Sequence, residues 1–238
     1  MGSGGRRIFI GDVHGCAAEL SDLLSLLGPG SSDAVYFVGD LVARGPDSRG
    51  VLKLYREIAA KGVIGNHEAR LIEVRRARAR GEEGPKLGPS HEALLKELGD
   101  SDWTLLESLP LYLELKTEEL RVVHAGVLPG VPLRKQEAWA LTHIRSVDAN
   151  GKASSEPGVE SWAAGYRESP HVVFGHDARR GLQLHPAATG LDTACVYGGS
   201  LTALVLPKGT KMPFPKDRRD LLVSVRARAQ YYTTPGFT

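Results

Sequence analysis

The sequence predicts an α/β fold made of two mixed β-sheets with helices outside. Three observations predict it. Strand-like apolar runs alternate with helical periodicity through the first part of the chain. Several short β-branched runs follow one another in the last third. Five of the apolar runs end in a short motif that sets Asp, Asn or His beside a glycine.

The elements follow in order. Ile8-Phe9-Ile10 is a buried strand, and Ala17 to Leu27 is an amphipathic helix stopped by Gly28-Pro29-Gly30. Ala34 to Val38 is the second strand. Pro46 to Ala60 carries Val51, Leu52, Leu54, Tyr55 and Ile58 on one helical face, and Gly62-Val63-Ile64 is the third strand. Asn66 to Arg80 reads as a helix, Gly81 to Ser90 as a polar loop, and His91 to Leu98 as a helix again. Residues 66–110 are thus expected to form a helical insertion over one rim of the site. Leu111 to Leu115 and Leu120 to Val123 read as paired strands, and Ala149 to Gly158 as a mobile polar segment. Val172 to Phe174, Leu182 to Leu184, Ala194 to Tyr197 and Leu201 to Leu206 read as strands, with Gly198-Gly199 as a hairpin signal. Residues 208–238 form a tail of unknown role, in which Arg218 to Ala229 reads as a helix or an extended arm. The expectation is one domain over 1–238.

The bulk properties fit that reading. The chain has 238 residues, 42% hydrophobic and 24% charged, enough for a sizeable core. A formal net charge of +2 gives no argument for nucleic acid or membrane. Cys16 and Cys195 lie far apart and in no metal-binding spacing, which fits a reducing cytoplasm, while a single disulfide stays open. No apolar stretch reaches transmembrane length and the start has no signal-peptide pattern, so a cytoplasmic enzyme is expected.

The chemistry sits in the five motifs, Gly11-Asp12-Val13-His14-Gly15, Gly39-Asp40-Leu41-Val42-Ala43-Arg44-Gly45, Gly65-Asn66-His67-Glu68, His124-Ala125-Gly126 and Gly175-His176. Together they offer Asp12, His14, Asp40, Asn66, His124 and His176 as nitrogen and oxygen ligands, with no thiolate. That mixture suits Mn²⁺, Fe²⁺, Co²⁺ or Zn²⁺. Two cations about 3.5–4 Å apart need a shared carboxylate, for which Asp40 is the natural candidate. A water between them would titrate toward neutrality and become a nucleophile. Any one of these motifs alone reads as an ordinary turn; the ordered set does not. Arg44 suits a bidentate grip on phosphate, and His67, beside Asn66, suits proton transfer.

The motifs resemble those of the calcineurin-like metallophosphoesterases, in the branch containing the phosphoprotein phosphatases, over roughly Arg7 to Leu206. The resemblance implies a four-layer α/β/β/α sandwich. It implies that Asp12, His14 and Asp40 hold a first metal and that Asp40, Asn66, His124 and His176 hold a second. It implies His67 as general acid, Arg44 on the phosphoryl oxygens, and an arginine such as Arg145 as a second clamp. Protein phosphatases of this branch usually carry an Asp, which orients the catalytic His, where this chain has Ala43. His67 must therefore be oriented by something else, or the leaving group must need less help. Gly39 to Ser48 and Gly190 to Leu204 resemble the bacterial diadenosine tetraphosphate hydrolases.

That resemblance implies cleavage of dinucleoside polyphosphates, chiefly diadenosine tetraphosphate to two ADP, with two divalent ions, Mn²⁺ first and Co²⁺, Ni²⁺, Fe or Zn²⁺ as alternatives. Protein phosphatase activity on phosphoprotein and removal of RNA 5′ caps are the alternative activities, and a non-catalytic nucleotide sensor is the contrasting class. A polyphosphate needs further cations. Arg179 and Arg180 are the nearest in sequence, ahead of Arg70, Arg75, Arg76, Arg78 and Arg80, which also read as a solvated helix face. Tyr197, Tyr166 and Trp139 are the aromatic residues open to adenine stacking.

Overall fold

The computed structural model describes residues 5–148, 150–158 and 160–233. Residues 234–238 of the expected tail and Ala149 of the expected mobile segment lie outside the described residues. The elements are β1 (Arg6–Ile10), α1 (Ala17–Leu27), β2 (Ala34–Phe37), α2 (Ser48–Glu57), β3 (Lys61–Gly62), α3 (Asn66–Ala79), α4 (Pro89–Glu97), α5 (Asp100–Ser108), β4 (Tyr112–Leu115) and β5 (Leu120–Val123). They continue as α6 (Ala138–His143), β6 (Ser146–Val147), β7 (Ala153–Ser154), α7 (Trp162–Gly165), β8 (His171–Phe174), β9 (Gln183–Leu184), β10 (Ala188–Gly190), β11 (Ser200–Pro207) and β12 (Leu222–Arg226).

Two five-stranded sheets stack face to face. The first runs β12-β11-β1-β2-β3 and the second β4-β5-β8-β10-β9. Strand alternation shows why both faces are buried. In β1, Ile8 and Ile10 point into a core shared with α1 and α2, whereas Phe9 points into the layer between the sheets. In β8, Val172 and Phe174 pack under α6 and α7, whereas Val173 meets Phe9 and Val122 in the middle layer. Helices, sheet, sheet, helices: the α/β/β/α sandwich is the observed architecture.

Within each sheet the central strands are parallel, β1 with β2 and β2 with β3, and β5 with β8 and β8 with β10. Their carboxyl ends therefore open on one edge, where the motif residues lie. Between β3 and β4, α3, α4 and α5 form the expected helical segment. No helix among the described residues is long and apolar enough to cross a membrane.

Several boundaries differ from expectation. Strand β3 stops at Gly62, because the Ile64 amide donates to the Pro110 carbonyl rather than to the ladder. Residues 194–197 form a turn, not a strand: the Asp192 carboxylate accepts the Ala194 amide, and Tyr197 N donates to Ala194 O. The stretch Arg218 to Ala229 takes the extended alternative, since β12 pairs antiparallel with β11. Arg218 itself is fully buried and donates to the carbonyls of Pro213, Pro186 and Ala188 and to Thr189 Oγ1, which ties the chain beyond β11 to the second sheet.

Candidate metal centre

Each ligand loop begins where a parallel strand ends. Asp12 and His14 follow β1, Asp40 follows β2, Asn66 opens α3, His124 follows β5 and His176 follows β8. The loops are tight, and five of the eight non-glycine residues with positive φ among the described residues lie in them, His14, Asp40, Ala43, Arg44 and His176, while a sixth, Ala194, follows β10 beside Asp192. Each such residue costs on the order of 1 kcal/mol and persists only where surrounding bonds hold it.

Glu68 is the main holder. Fully buried, it accepts from Gly65 N (2.9 Å) and Asp40 N (3.0 Å) with one oxygen and from Val42 N (3.1 Å) with the other. It thereby clips the Asp40 loop to the start of α3. Ser48 Oγ accepts the Ala43 amide. Glycines are required beside the ligands: a Cβ on Gly39 would stand 2.7 Å from His124 Nδ1, and one on Gly65 or Gly175 would collide with Asp40 or Asp12.

Asp40 lies at the centre. Its Oδ2 is 3.4 Å from His14 Nε2 and 3.4 Å from His124 Nε2. Two buried triplets of potential ligand atoms share it: His14, Asp40 and His67, and Asp40, His124 and His176. Asn66 Oδ1 is 2.9 Å from His124 Nε2. Asp12 Oδ2 accepts the His176 amide at 2.9 Å, while its Oδ1 is buried without a partner among the protein atoms.

The remaining histidine nitrogens are telling. His14 Nδ1 lies 3.3 Å from Val42 O, His124 Nδ1 2.9 Å from Val38 O, and His176 Nε2 3.1 Å from His143 O. One ring nitrogen bound to a carbonyl and the other turned inward is the arrangement of metal-bound imidazoles. His67 differs, because its Nδ1 is hydrogen-bonded to His91 Nε2 at 2.9 Å.

The electrostatics point the same way. Four carboxyl groups, Asp12, Asp40, Glu68 and Asp192, are buried within this centre. Burial, with the charges of Asp192 and Asp40, pushes Asp12 well above the usual carboxylate range. Burial raises Glu68 to about 7 and Asp192 to about 6. Burial would raise Asp40 too, but His124, His67 and His14 outweigh it and hold it low. Burial lowers His14 to about 4, leaving the neutral imidazole that metal ligation needs. Burial likewise lowers His67 and His176, whereas Asp40 outweighs burial at His124 and raises it; crowded buried carboxylates with few charged imidazoles beside them are a site short of positive charge, and with the unpartnered Asp12 oxygen they fit divalent cations.

Above this centre lies a cleft lined by His14, Asp40, Arg44, His67, Arg145 and Arg179, among others. Arg44 rests against two tyrosines, its guanidinium carbon 5.5 Å from the Tyr197 ring centroid and 5.4 Å from that of Tyr232. Arg145 donates to Ser155 O and His176 O. Arg180 is a correction. It does not line the cleft, because its guanidinium is committed to Asp177 (2.5 Å) and to the Pro157 carbonyl. Of the helix arginines, Arg75, Arg78 and Arg80 pair with Glu107, Glu92 and Glu82, and Arg76 lies 3.9 Å from Glu107; Arg70 borders a side pocket next to His67. Tyr166 is core, whereas Trp139 is 42% exposed and stacks flat on His143.

Sequence reasoning missed Glu68, His91, His143, Asp177 and Asp192. Two carried readable signals: Asp192 in Gly190-Leu191-Asp192, the same strand-end pattern as the five motifs, and Glu68 as the acidic residue three places after Gly65 at the start of α3; the roles of His91 and His143 are defined by contacts distant in sequence. Cys16 and Cys195 are both buried free thiols.

Residues 5–205 match the family model for calcineurin-like phosphoesterase. An asymmetrical bis(5′-nucleosyl)-tetraphosphatase, PrpE, of Oceanobacillus iheyensis is 31% identical over 84% of this chain and 88% of its own length. A symmetrical bis(5′-nucleosyl)-tetraphosphatase of Shewanella sediminis is 31% identical over 86% of this chain and 96% of its own. A crystal structure provisionally assigned as a diadenosine tetraphosphatase superposes with a TM-score of 0.79 at 36% identity, covering 94% of this chain and 95% of the other. The chain belongs to the calcineurin-like phosphoesterase family.

Proposed function

We propose that the chain is a two-metal hydrolase of dinucleoside polyphosphates, cleaving diadenosine tetraphosphate chiefly to two ADP. The observation that carries the reading is the pair of buried ligand sets sharing Asp40, at the floor of a cleft that also presents Arg44, Arg145 and Arg179. A substrate with several phosphates matches a cleft with several guanidinium groups.

Asp12, His14 and Asp40 would hold one cation, and Asp40, Asn66, His124 and His176 the other. His67 belongs to one triplet by distance, yet the orphaned Asp12 oxygen favours Asp12 as the ligand and leaves His67 for proton transfer. Mn²⁺ suits the mixed nitrogen and oxygen donors, with Co²⁺, Ni²⁺, Fe and Zn²⁺ as substitutes. Divalent cations bound there supply an activated water nucleophile and offset charge on the phosphoryl group under attack.

The protein's own groups do the rest. Arg44, pinned between Tyr197 and Tyr232, grips non-bridging oxygens of the attacked phosphoryl group. Arg145 and Arg179 neutralise the flanking phosphates. As the phosphoanhydride breaks, the departing nucleotide oxygen takes the bonding pair and a proton from His67. Tyrosine packing and the Glu68 clip hold these groups in place beforehand, so little reorganisation accompanies the reaction.

A second reading of the cleavage position has an observation behind it: the asymmetrical relative is as similar as the symmetrical one. Diadenosine tetraphosphate incubated with the protein and Mn²⁺, resolved by ion-exchange chromatography, separates the two. ADP alone supports symmetrical cleavage, and ATP plus AMP supports the off-centre cut. An intact dinucleotide together with turnover of a phosphopeptide would overturn the substrate class.

A further inference from the structure

We propose that His91 is the positioning residue for His67, taking the place of the carboxylate missing at Ala43. This deepens the reading of His67 as the proton donor and rests on it. The carrying observation is the 2.9 Å hydrogen bond between His67 Nδ1 and His91 Nε2, with the two rings nearly parallel at 22° and their centroids 4.8 Å apart. Ala43 offers no polar atom on its side chain, and its residue is buried at positive φ with its amide taken by Ser48.

The helical segment between β3 and β4 is built to present His91. The residue sits in the first turn of α4, whose N-cap Gly88 and first residue Pro89 set the helix start. Its neighbour Glu92 is gripped by both terminal nitrogens of Arg78, at 3.0 and 2.6 Å, and Arg78 lies near the end of α3. His67 opens that same helix. The bidentate pair therefore fixes α4 against the element that carries the proton donor. Leu94, one turn after Ser90 and His91, anchors α4 in the core.

The bond sets the tautomer. His67 donates its Nδ1 proton to His91 Nε2, and His91 keeps its own proton on Nδ1, which faces Ser90 Oγ at 3.5 Å. His67 Nε2 is then the atom turned to the leaving group. For cleavage His67 enters as the imidazolium: its Nε2 proton passes to the departing oxygen, the ring is left as the neutral Nδ1–H tautomer, and His91 neither gains nor loses a proton. A carboxylate would also stabilise the charged ring, whereas an imidazole only orients it. That suits a phosphate leaving group, which needs less protonation than an alkoxide.

The test uses His91→Ala and His91→Gln, whose amide oxygen falls near the place of Nε2. In the diamagnetic Zn²⁺-loaded protein, imidazole ¹H–¹⁵N spectra should show a slowly exchanging Nδ1–H of His67, assigned by its loss in His67→Gln. The signal should vanish in His91→Ala and persist in His91→Gln. With Mn²⁺, His91→Ala should lower kcat for phenyl phosphate about tenfold with little change in KM. It should leave 2,4-dinitrophenyl phosphate within about twofold, since that leaving group needs no proton, and His91→Gln should recover the loss.

An unprotonated His67 Nδ1, an unchanged signal in His91→Ala, or equal losses on both esters would overturn the proposal. The spectroscopic result needs no turnover and stands by itself. A wild-type protein that leaves diadenosine tetraphosphate intact but gives the expected spectra and ester pattern would refute the substrate, not the role of His91.

Discussion

Replacing Gly175 by alanine should dismantle the first cation site while sparing the fold. A Cβ there would stand 3.0 Å from Asp12 Cγ, 2.7 Å from Val38 Cγ2, and closer still to Asp12 Oδ1. Ordinary carbon contacts need about 3.5–4.0 Å, so the carboxylate must retreat by on the order of 1 Å. Val38 is fully buried in the layer between the sheets and cannot give way. Asp12 is also tethered through its other oxygen to the His176 amide, one residue from the substitution. Ligand bonds of about 2.0–2.2 Å do not survive a displacement of that size. Disturbing a supporting group typically costs 10–100-fold in metal affinity, and moving the ligand itself should cost at least about 100-fold. Overpacking adds about 1–3 kcal/mol of destabilisation. The assay is Mn²⁺ binding by electron paramagnetic resonance titration, with Gly165→Ala as control because no atom lies within 4 Å of a Cβ there. Wild-type affinity at both sites in a folded Gly175→Ala protein would refute the placement of Asp12 in the metal centre.

Three further predictions follow from local geometry. Asp40→Asn keeps an oxygen for the His67 amide but loses the shared negative charge, so turnover should fall by at least about 10²–10³-fold while the thermal midpoint of the metal-free protein changes little; full activity would sink the two-cation assignment. Arg218→Met leaves four acceptors, those of Ala188 and Thr189 fully buried, without their donor and should cost about 3 kcal/mol in urea denaturation, a loss under about 1 kcal/mol counting against the tether. Hydrogen bonds from Arg6 hold Asp33 down at about 2, against an unfolded value of 3.8. That stabilisation is complete above the unfolded value and is lost as pH falls through the folded one. Arg6 is 34% exposed, so screening leaves about 1 kcal/mol at pH 7, roughly half of it gone by pH 3. A wild-type advantage over Asp33→Asn that does not shrink between those pH values would refute it.

The candidate ligand residues were legible because a strand end is a local event. An apolar run, a glycine and a polar ligand are contiguous in sequence, so Asp12, Asp40 and His176 announce themselves. The groups that hold them are not contiguous with them. Glu68 reaches back to Asp40 and Val42, His91 reaches His67 across a loop, and the His143 carbonyl meets His176 from another helix. The same limit explains the misread elements. Residues 194–197 form an apolar run like a buried strand, but the Asp192 side chain captures the Ala194 amide and turns the chain. Ala188, Thr189 and Gly190 have no strand character of their own, yet they pair with β8 and β9 inside the second sheet, where packing overrides propensity. Arg180 shows the converse error. Nearness to His176 in sequence suggested a substrate contact, but Asp177 lies closer and claims its charge.

The candidate ligands divide between the sheets, and cations held by them would be structural as well as catalytic. Asp12, His14, Asp40 and Asn66 come from the first sheet or the helix after it, and His124 and His176 come from the second. Binding there would therefore bridge the two layers at the edge where the strained loops meet. It also relieves the crowding of four buried carboxyl groups, which in the metal-free protein can be eased only by protonation. A ligand held at 100 times its dissociation constant stabilises by about 2.7 kcal/mol per site. For a chain of this size each kcal/mol shifts the thermal midpoint by about 2–4 °C. Removing the metal with a chelator should lower the midpoint by about 5–10 °C for one site alone, and Mn²⁺ should restore it. The restoration should fail in Asp40→Asn, which contributes to both sites. If chelation leaves the midpoint unchanged while abolishing turnover, the loops are held by Glu68 and its neighbours alone, and the cations serve only the reaction.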